Sequence, residues 1–543
     1  MSPPAGQPPK RWALKGRIVT MVAKNDVVSG TIYVEDNRIK AIVKTGQPAP
    51  AGFETVVPLD SHGTIYPGLI ELHNHLSYDV LPLWQVPKAY DNRGQWQDAA
   101  EYKNKVSGPM AAIAMGDDGA LLPALVRYVE SKCLIAGTTT SQGITLQKWS
   151  SEIRKYYKGV LRTAEIGHKP DLALAHSHVA DVQAQDWESF DKIIKKAAEN
   201  KSCVLLHLSE GVDDPARKNF LALRNAEGKW AIERSLAGIH CTALKPEDFA
   251  IMAEHQAAMV WSPLSNLLLY TKTGDVKAAR NAGVLVALGS DWSPSGSKNL
   301  LGELKVARLV SDLNGIGLDD FDVVALATRN PAQILQWSKG VGTLESGKYA
   351  DFVVVSGTTG DPYRHLIEAR EDNVALVVID GRPRCGLALV MQELGVAGEA
   401  ITVAGAPRVI DFDTPDDEPE IEVISLAEAR QRLTTALGQL GQLQARALTT
   451  MLALATNQRI ARPVWRLALD EQFHNHVELR PRLEYAGAPT GPDLATVQAA
   501  AVQLHPIKLD PLTVLDDPDF LPTLRQERNL PAGFADKIAQ YYA

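Results

Sequence analysis

Cysteine is scarce in this chain, and no long apolar run interrupts it. The 543 residues include four cysteines, Cys133, Cys203, Cys241 and Cys385, and none of them forms a Cys-x-x-Cys pair. Such scattered cysteines are typical of a reduced, cytoplasmic protein. The polar, Pro-rich residues 1–11 have no apolar core of a signal peptide. No stretch reaches the ~18 apolar residues of a membrane span, so we expect no membrane association.

Excess positive charge is absent as well. The 56 Lys and Arg residues are outnumbered by 64 Asp and Glu residues, which gives a net charge of −8, and no dense basic run occurs. This balance gives no indication of a nucleic-acid partner. The remaining composition, 45% hydrophobic and 22% charged, is typical of a globular protein. A chain of this length favours two to four domains.

Short β-branched segments stand at both ends of the first 400 residues. Arg17–Ala23 and Ser29–Glu35 are strand candidates near the start, and Val374–Pro383 is one near the end. We predict that residues 12–64 and 340–402 together form one small β-sandwich domain, with the intervening chain inserted into it.

Between residues 65 and 339, short apolar strands alternate with helical patterns. The strand candidates are Ile65–Leu76, Thr138–Thr145, Val160–Ile166, Leu172–Val179, Val204–Ser209, Gly238–Thr242, Ala258–Ser262 and Val284–Ser290. Eight strands in such a stretch fit an eight-stranded parallel barrel, which typically takes ~250 residues. An open doubly wound sheet would also alternate strands and helices, but no Gly-x-Gly-x-x-Gly follows the first strand. The predicted fold is therefore α/β, a (β/α)₈ TIM barrel inserted into the sandwich.

The character of the chain changes near residue 403. Asp411–Glu420 is acidic and contains proline, as linkers do. Ser425-Leu-Ala-Glu428 is a capping box, and it predicts a long helix near residues 426–456 of a C-terminal extension, 403–543. Its leucines at helical spacing are Leu426, Leu433, Leu437, Leu440, Leu443 and Leu448. This stripe predicts packing on the body of the protein or on a second subunit, so we expect a homodimer or a higher oligomer.

Residues able to bind a metal or move a proton end four of the predicted strands. They are His73 and His75 after strand one, His207 and Glu210 after strand five, His240 after strand six and Asp291 after strand eight. Alternation along a strand lets His73 and His75, two residues apart, point to the same side. A TIM barrel carries its active site at the carboxyl ends of the strands. The coincidence predicts a metal site there.

A set of short motifs then resembles a known family. The motifs are Pro67-Gly-Leu-Ile-Glu-Leu-His-Asn-His75, Ala136-Gly-Thr-Thr-Thr140, His207-Leu-Ser-Glu210, Gly238-Ile-His240, Ser262-Pro-Leu-Ser-Asn266, Gly289-Ser-Asp291, Asn330-Pro-Ala332 and Gly347-Lys-Tyr-Ala-Asp351. Over about residues 12 to 400 the chain resembles the amidohydrolase superfamily of metal-dependent hydrolases. Because Glu210 follows His207 by three residues, it looks most like the mononuclear branch of cytosine, guanine and S-adenosylhomocysteine deaminases and triazine hydrolases.

The resemblance also implies roles for individual residues. The implied ligands of one Zn²⁺, or alternatively Fe²⁺, are His73, His75, His207 and Asp291. The metal would lower the pKa of a bound water toward ~7 and make hydroxide available. Asp291 would also accept the proton of that water, His240 would orient the hydroxide, and Glu210 would pass a proton to the leaving nitrogen.

Substrate contacts are predicted at three residues. Four aromatic residues follow strand one, Tyr78, Trp84, Tyr90 and Trp96. They could form a wall over the site, with Trp84 as a contact, or could simply pack a long loop. His176 stands where related deaminases place a substrate-binding histidine, and Asn266 could line the mouth of the site.

The function expected from these features is hydrolysis of a non-peptide carbon–nitrogen bond, by deamination or amide cleavage, in a small cyclic or aromatic nitrogen compound. One alternative is a binuclear amidase or dipeptidase. That branch usually has a bridging lysine at the end of strand four, whereas Lys169 lies before the strand. The other alternative is a catalytically inactive scaffold that assembles through its C-terminal helix.

Overall fold

Eight short parallel strands occupy the middle of the chain in the computed structural model, which describes residues 10–116, 120–148, 153–166, 169, 171–179, 186–414, 420–455, 465–469 and 503–543. The strands are Leu69–Ile70, Thr138–Ser141, Arg162–Thr163, Ala175–Val179, Cys203–Leu208, Leu236–His240, Ala258–Trp261 and Leu285–Leu288. The first three form one sheet and the other five form a second. Each of the eight predicted strands overlaps one of them.

Backbone hydrogen bonds connect the two parallel sheets at both edges. Ala175 N donates to Ala164 O at 2.8 Å beside the third and fourth strands, and Leu72 N donates to Leu288 O at 3.4 Å beside the first and eighth. Between the strands lies a buried apolar cluster that includes Leu205, Ile239 and Val260. This mixed α/β arrangement of parallel strands is consistent with the expected barrel.

Helices connect the parallel strands and cover their outer side. Up to the eighth strand the α-helices are Arg93–Gln97, Ala100–Tyr102, Gly108–Met115, Leu121–Ile135, Trp187–Glu199, Asp214–Leu221, Pro246–Glu254, Pro263–Tyr270 and Val276–Ala282. After it come Leu300–Leu313, Asp320–Ala325, Arg329–Ile334, Pro362–Glu368, Ala388–Glu393, Leu426–Gly438, Leu440–Ala455, Phe520–Gln526 and Phe534–Gln540. Within the described residues, no helix combines the length and the apolar character needed to cross a membrane.

A nine-stranded sheet holds both terminal β segments. Its strands in spatial order are Glu399–Val403, Ala406–Ile410, Arg382–Leu387, Val374–Ile379, Phe352–Ser356, Leu59–Pro67, Arg11–Val19, Val27–Glu35 and Arg38–Lys44. The two segments meet where Leu59–Pro67 pairs with Phe352–Ser356 in antiparallel fashion. A small fourth sheet contains Thr145–Lys148, Arg154–Tyr156 and Trp465–Leu467.

The helices near the C-terminal end pack on helices that cover the parallel strands. The single helix expected at 426–456 is two helices, Leu426–Gly438 and Leu440–Ala455, separated at Gln439. All six leucines of the predicted stripe are buried. The stripe packs on Leu121–Ile135 and Gly108–Met115, which lie in the body of the protein.

Candidate metal centre

Four histidines and one aspartate meet at the carboxyl ends of the parallel strands. We call His73, His75, His207 and His240 the histidine cluster; its neighbouring rings have centroids 4.7 to 5.5 Å apart. Asp291 Oδ1 lies 2.9 Å from His73 Nε2 and 3.5 Å from His75 Nε2. Every member of the group is buried. The predicted ligands therefore come together in space.

Close contact between the first and eighth strands brings these residues together. Asp291 N donates to His73 O at 3.0 Å, and His75 N donates to Asp291 O at 2.6 Å. A side chain at Gly289 would not fit, because its Cβ would lie 2.5 Å from His73 Cβ. His240 and Asp291 adopt positive φ angles of 67° and 71°. Such strained backbone at non-glycine residues is characteristic of functional sites.

Gln142 determines which nitrogen of His73 faces the cluster. The Gln142 side-chain oxygen accepts from Asn74 N at 3.0 Å and lies 3.1 Å from His73 Nδ1. Since a backbone N–H can only donate, the Gln142 atom that faces Asn74 N is the amide oxygen. This oxygen also faces His73 Nδ1, so His73 Nδ1 must carry a proton and donate it to Gln142. His73 Nε2 then presents a lone pair to the cluster, as a metal ligand must.

The charge state of the buried groups suits a cation. Burial lowers the pKa of His73 and His240 to about 4 and that of His207 well below its usual value. These rings are therefore neutral at pH 7. Burial alone would raise the pKa of Asp291, but His73 and the other histidines bring it below its usual range. Neutral imidazoles such as those of His73 and His207, together with a carboxylate, are favourable ligands for Zn²⁺.

Two imidazole nitrogens at the centre have no other use. His73 Nε2 and His207 Nε2 are buried and make no hydrogen bond to any described residue. A buried polar atom without a partner is costly. A cation bound between His73, His75 and His207, whose ligand atoms lie within 4.8 Å of one another, would satisfy these atoms, so the residues fit a metal.

Two hydrogen bonds hold Glu210 beside the histidine cluster. Tyr270 Oη donates to its Oε1 at 2.7 Å, Arg93 Nη1 lies 3.3 Å from Oε2, and His240 Nε2 is 3.8 Å from Oε2. Burial raises the pKa of Glu210, although Arg93 opposes the shift. A raised pKa makes a carboxyl group better able to take up and pass on a proton.

Helix Pro263–Tyr270 supports the other polar groups. Ser265 Oγ donates to Asp291 Oδ2 at 2.6 Å, and Asn266 Nδ2 lies 3.1 Å from His240 Nδ1. Asn266 is fully buried, and its amide oxygen accepts from Thr273 at 3.2 Å. The amide oxygen of Asn266 bonds to Thr273 and its nitrogen contacts His240, both inside the protein. Asn266 therefore contacts His240 instead of lining the mouth of the site.

The aromatic residues after strand one form a cluster at one side of the site. Trp292 lies 5.4 Å from the His75 ring and 5.2 Å from Tyr78. Trp84 is buried and packs on Tyr102 at 5.8 Å, one layer behind Trp292. Trp96 also packs on Trp292. The Tyr90 ring instead lies 5.4 Å from the ammonium group of Lys88.

His176 and Lys169 are not brought to the histidine cluster. The His176 side chain is exposed, while its neighbours Ala175 and Ser177 are buried, so His176 points away from the space between the strands. Lys169 Nζ lies 3.6 Å from Asp380 and 5.8 Å from the Tyr349 ring centroid. Lys169 therefore lies near the nine-stranded sheet and does not contact the histidine cluster.

Sequence reasoning missed the residues that orient the site. They are Arg93, Gln142, Ser265 and Tyr270. Ser265 lies inside a motif already quoted, and Gln142 follows the second strand, so position at a strand end could have drawn attention to both. Arg93 and Tyr270 carry no such local signal, because their role depends on contact with Glu210.

Comparison with known proteins gives consistent matches. The sequence profile described as the Amidohydrolase family matches residues 64–384. A 5-methylthioadenosine/S-adenosylhomocysteine deaminase of Bacillus cereus is 24% identical over 420 residues, covering 69% of this chain and 93% of the relative.

Solved structures show the same fold. The atrazine chlorohydrolase of Arthrobacter aurescens TC1, complexed with zinc, superimposes with a TM-score of 0.52 at 18% identity, over 68% of this chain and 94% of that one. The guanine deaminase of E. coli also has a TM-score of 0.52 at 18% identity, over 68% and 99% of the two chains.

Proposed function

Because the chain belongs to the amidohydrolase family, we propose that it hydrolyses a non-peptide carbon–nitrogen bond in a small cyclic or aromatic nitrogen compound. The observation that carries the proposal is a buried group of overlapping potential ligands. The ligand atoms lie within 4.8 Å of one another in each of three sets, which are His73, His75 and His207; His73, His240 and Asp291; and His207, Glu210 and His240. Ligands for a cation and groups for proton transfer lie side by side there. Amidohydrolases and deaminases need both.

The proposed metal site uses His73, His75, His207 and Asp291 as ligands of one divalent cation. A cation bound there would act as a Lewis acid and lower the pKa of a water molecule toward ~7. His73 Nε2 and His207 Nε2, which make no hydrogen bond within the described residues, support this assignment. Zinc is the proposed ion, since an atrazine chlorohydrolase of similar fold contains it. Iron(II) suits the same ligand types.

The chain's own residues would handle the protons. Asp291 Oδ1, beside His73 and His75, would accept a proton from water. Glu210 would deliver a proton to the leaving nitrogen, since it lies beside His240 in the buried group and burial raises its pKa. His240 would donate a hydrogen bond to the oxygen on which negative charge develops.

The aromatic cluster supports a flat substrate. Trp292 and Tyr78 stand beside His75, and their rings can stack on a planar heterocycle. The relative from Bacillus cereus is named a 5-methylthioadenosine/S-adenosylhomocysteine deaminase, and the similar E. coli structure is a guanine deaminase. We therefore propose a purine- or triazine-like ring with an amine or amide substituent as the substrate class.

A substrate panel tests the proposal. The zinc-loaded protein would be incubated with aminopurine nucleosides, aminotriazines, simple amides and carbamates, and ammonia or amine release would be measured with and without a chelator. We expect release from at least one aromatic amine, and its loss on chelation. Undiminished turnover by protein freed of all metal would rule the proposal out.

The alternative binuclear amidase makes a different prediction. It requires a second cation, for which a lysine from strand four usually serves, and Lys169 lies beside Asp380 instead. Elemental analysis of the purified protein distinguishes the two, because one metal per chain supports the mononuclear proposal and two support the alternative.

The proposal also covers the domain boundaries, the cellular location and the oligomeric state of the protein. We propose that the eight strands close into one barrel over 65–339, inserted into a β-sandwich of 12–64 and 340–402, with 403–543 as an extension. The hydrogen bonds at both edges of the parallel sheets support closure.

The four described cysteines are free and buried, which agrees with a cytoplasmic location. A homo-oligomer is also proposed, and sedimentation of the purified protein tests it.

A further inference from the structure

One helix, Pro263–Tyr270, contacts both His240 and Glu210, the two residues proposed to handle protons at the site. Within Pro263–Tyr270, Asn266 Nδ2 lies 3.1 Å from His240 Nδ1, and Tyr270 Oη donates to Glu210 Oε1 at 2.7 Å. Asn266, Tyr270 and their two partners are all buried. Each of these hydrogen bonds is the last in a series that begins at a tryptophan indole.

The first series runs from Trp261 to His240. Trp261 Nε1 lies 2.5 Å from Thr273 Oγ1, and Thr273 Oγ1 lies 3.2 Å from Asn266 Oδ1. An indole nitrogen can only donate, so the Thr273 hydroxyl accepts from Trp261 and its own hydrogen is available for Asn266. The Asn266 oxygen therefore faces Thr273, and its NH₂ group faces His240.

The orientation of Asn266 determines the tautomer of His240. Since the amide NH₂ donates, His240 Nδ1 must accept, and a neutral imidazole then carries its single hydrogen on Nε2. Nε2 is the nitrogen that faces Glu210, 3.8 Å from Oε2. A nitrogen that carries hydrogen has no lone pair for a cation. His240 is thus a donor within a cluster of otherwise available ligands.

The second series runs from Trp96 to Glu210. Trp96 Nε1 donates to Tyr270 Oη at 2.7 Å, and this leaves the Tyr270 hydrogen for Glu210 Oε1. Arg93 Nη1 approaches the other carboxylate oxygen at 3.3 Å. Both oxygens of Glu210 therefore accept, and the carboxylate is held in one orientation.

We propose that Trp261, Thr273 and Asn266, together with Trp96 and Tyr270, are positioning residues that fix His240 as an Nε2–H donor and Glu210 as an acceptor. The direction of each series is set at its start, by an indole that cannot accept a hydrogen bond. This inference rests on the proposed function for its effect on turnover, but the tautomer of His240 is a property of the protein alone.

The tautomer can be observed directly. Protein labelled with ¹⁵N at histidine would be loaded with zinc, and the His240 signals would be assigned by comparison with His240→Gln. We expect long-range ¹H–¹⁵N correlations of an Nε2–H tautomer. An Nδ1–H tautomer in the wild-type protein would overturn the inference without any further variant.

Thr273→Val and Thr273→Ser form a matched pair. Valine keeps the shape of threonine but has no hydroxyl, so Asn266 is free to turn, and we expect the Nδ1–H form of His240 to become populated. With a substrate from the panel, kcat should fall by about 10²-fold, as for loss of one transition-state donor, while KM stays nearly unchanged. Serine should restore both the spectrum and kcat.

The outcomes separate this inference from the proposed function. If Thr273→Val changes the tautomer and Thr273→Ser restores it, but the wild type hydrolyses no substrate, the first series is confirmed and the proposed function fails. If Thr273→Val leaves both the tautomer and kcat unchanged, the first series does not set the tautomer, while the proposed function stands. Tyr270→Phe provides a second arm, with an expected fall in kcat at constant zinc content; unchanged kcat would contradict the Glu210 half.

Discussion

A single amide oxygen decides what His73 can bind. Gln142 Oε1 accepts from Asn74 N and from His73 Nδ1, and so directs the His73 Nε2 lone pair toward Asp291. Neutral imidazoles have two tautomers of similar energy, so one hydrogen bond is enough to select between them.

The contact from Gln142 should therefore be measurable as metal affinity. We expect Gln142→Leu to bind zinc 10- to 100-fold more weakly, the usual cost of losing an outer partner of a metal-bound histidine. Competition with a chromophoric chelator measures this. Gln392→Leu, at an exposed helical position, is the control and should leave the affinity unchanged. Equal affinities of the two variants would show that Gln142 does not orient His73.

His207 and Glu210 should separate metal binding from proton transfer. His207→Ala removes a proposed ligand, so we expect loss of both stoichiometric zinc and turnover. Glu210→Gln keeps the shape of the side chain but cannot carry the proton, so zinc should remain near one equivalent while turnover falls by at least ~10²-fold. Elemental analysis and ammonia release measure the two effects. Full turnover by Glu210→Gln would exclude it as the shuttle.

Burial of neutral histidines predicts the pH dependence of the metal-free protein. The pKa of His240 falls from 6.5 to about 4 because the ring is buried. The unfolded chain binds this proton more readily, so stability is full above pH 6.5 and is lost as the pH falls toward 4. One such residue contributes about 3 kcal/mol to the change.

Denaturant unfolding between pH 7 and 4.5 measures that change. The comparison of the metal-free wild type with metal-free His240→Gln isolates His240 from the buried carboxyl groups that titrate in the same range. We expect the variant to lose less stability than the wild type as the pH falls. Parallel curves for the two proteins would contradict the buried, neutral state of His240.

At the scale of elements, the contact between the first and eighth strands assembles the site. Gly289 lies against His73, and an added Cβ would be 2.5 Å from His73 Cβ and 2.6 Å from His73 O. Neither atom can move without displacing a proposed ligand. The absence of a side chain at Gly289 is therefore required for His73 and Asp291 to meet.

Gly289→Ala should separate the two strands locally. We expect a loss of about 1–3 kcal/mol of stability from overpacking, together with weaker zinc binding, because His73 moves away from Asp291. Thermal unfolding and chelator competition measure the two effects. Gly438→Ala is the control, since a Cβ there meets nothing within 4 Å in a helix. Wild-type zinc affinity in Gly289→Ala would contradict the predicted displacement.

Element boundaries were harder to predict than element types. The helical pattern predicted over 426–456 is interrupted at Gln439, whose φ of −124° and ψ of 32° are not helical. The predicted first parallel strand began at Ile65, but Ile65 lies in Leu59–Pro67 of the nine-stranded sheet, and the parallel strand is only Leu69–Ile70. Periodicity records which residues are buried, not which sheet they join.

At the scale of the whole molecule, the end of the chain is tied to the loops of the site. Asp510 is fully buried and accepts from Lys132 Nζ at 2.6 Å and from Lys298 Nζ. Lys132 also donates to Ser293 Oγ at 2.9 Å and to Asp79 O at 2.7 Å, in the loops after the eighth and first strands. These loops carry Trp292 and Tyr78, so the C-terminal segment supports the aromatic side of the site.

Asp510→Ala should be strongly destabilising, because buried Lys132 loses its carboxylate partner and buried Lys298 keeps only Asp517, at 2.7 Å. Removal of one partner of a buried ion pair typically costs 3–5 kcal/mol. Lys508→Ala is the control from the same segment, since its pair with Asp519 is exposed and should contribute about 1 kcal/mol or less. Denaturant unfolding measures both. Similar small losses in the two variants would show that the buried pairs do not anchor the segment.

The sequence by itself determined the class of the fold and the identity of the candidate ligands. Strand-end positions can be recognised locally, because apolar runs mark the strands and the next polar residue marks each end. His73, His75, His207, His240 and Asp291 were all found in this way. The two β segments were likewise recognised from their β-branched residues.

Only the tertiary structure decided how those ligands are oriented and what closes around them. Gln142, Tyr270, Thr273 and Asp510 act across contacts between segments distant in sequence, and no local pattern reports such contacts. The same reason explains His176, whose position near the fourth strand was predictable but whose side chain faces outward. A hydrogen bond depends on distance and direction in space, which the order of residues alone does not contain.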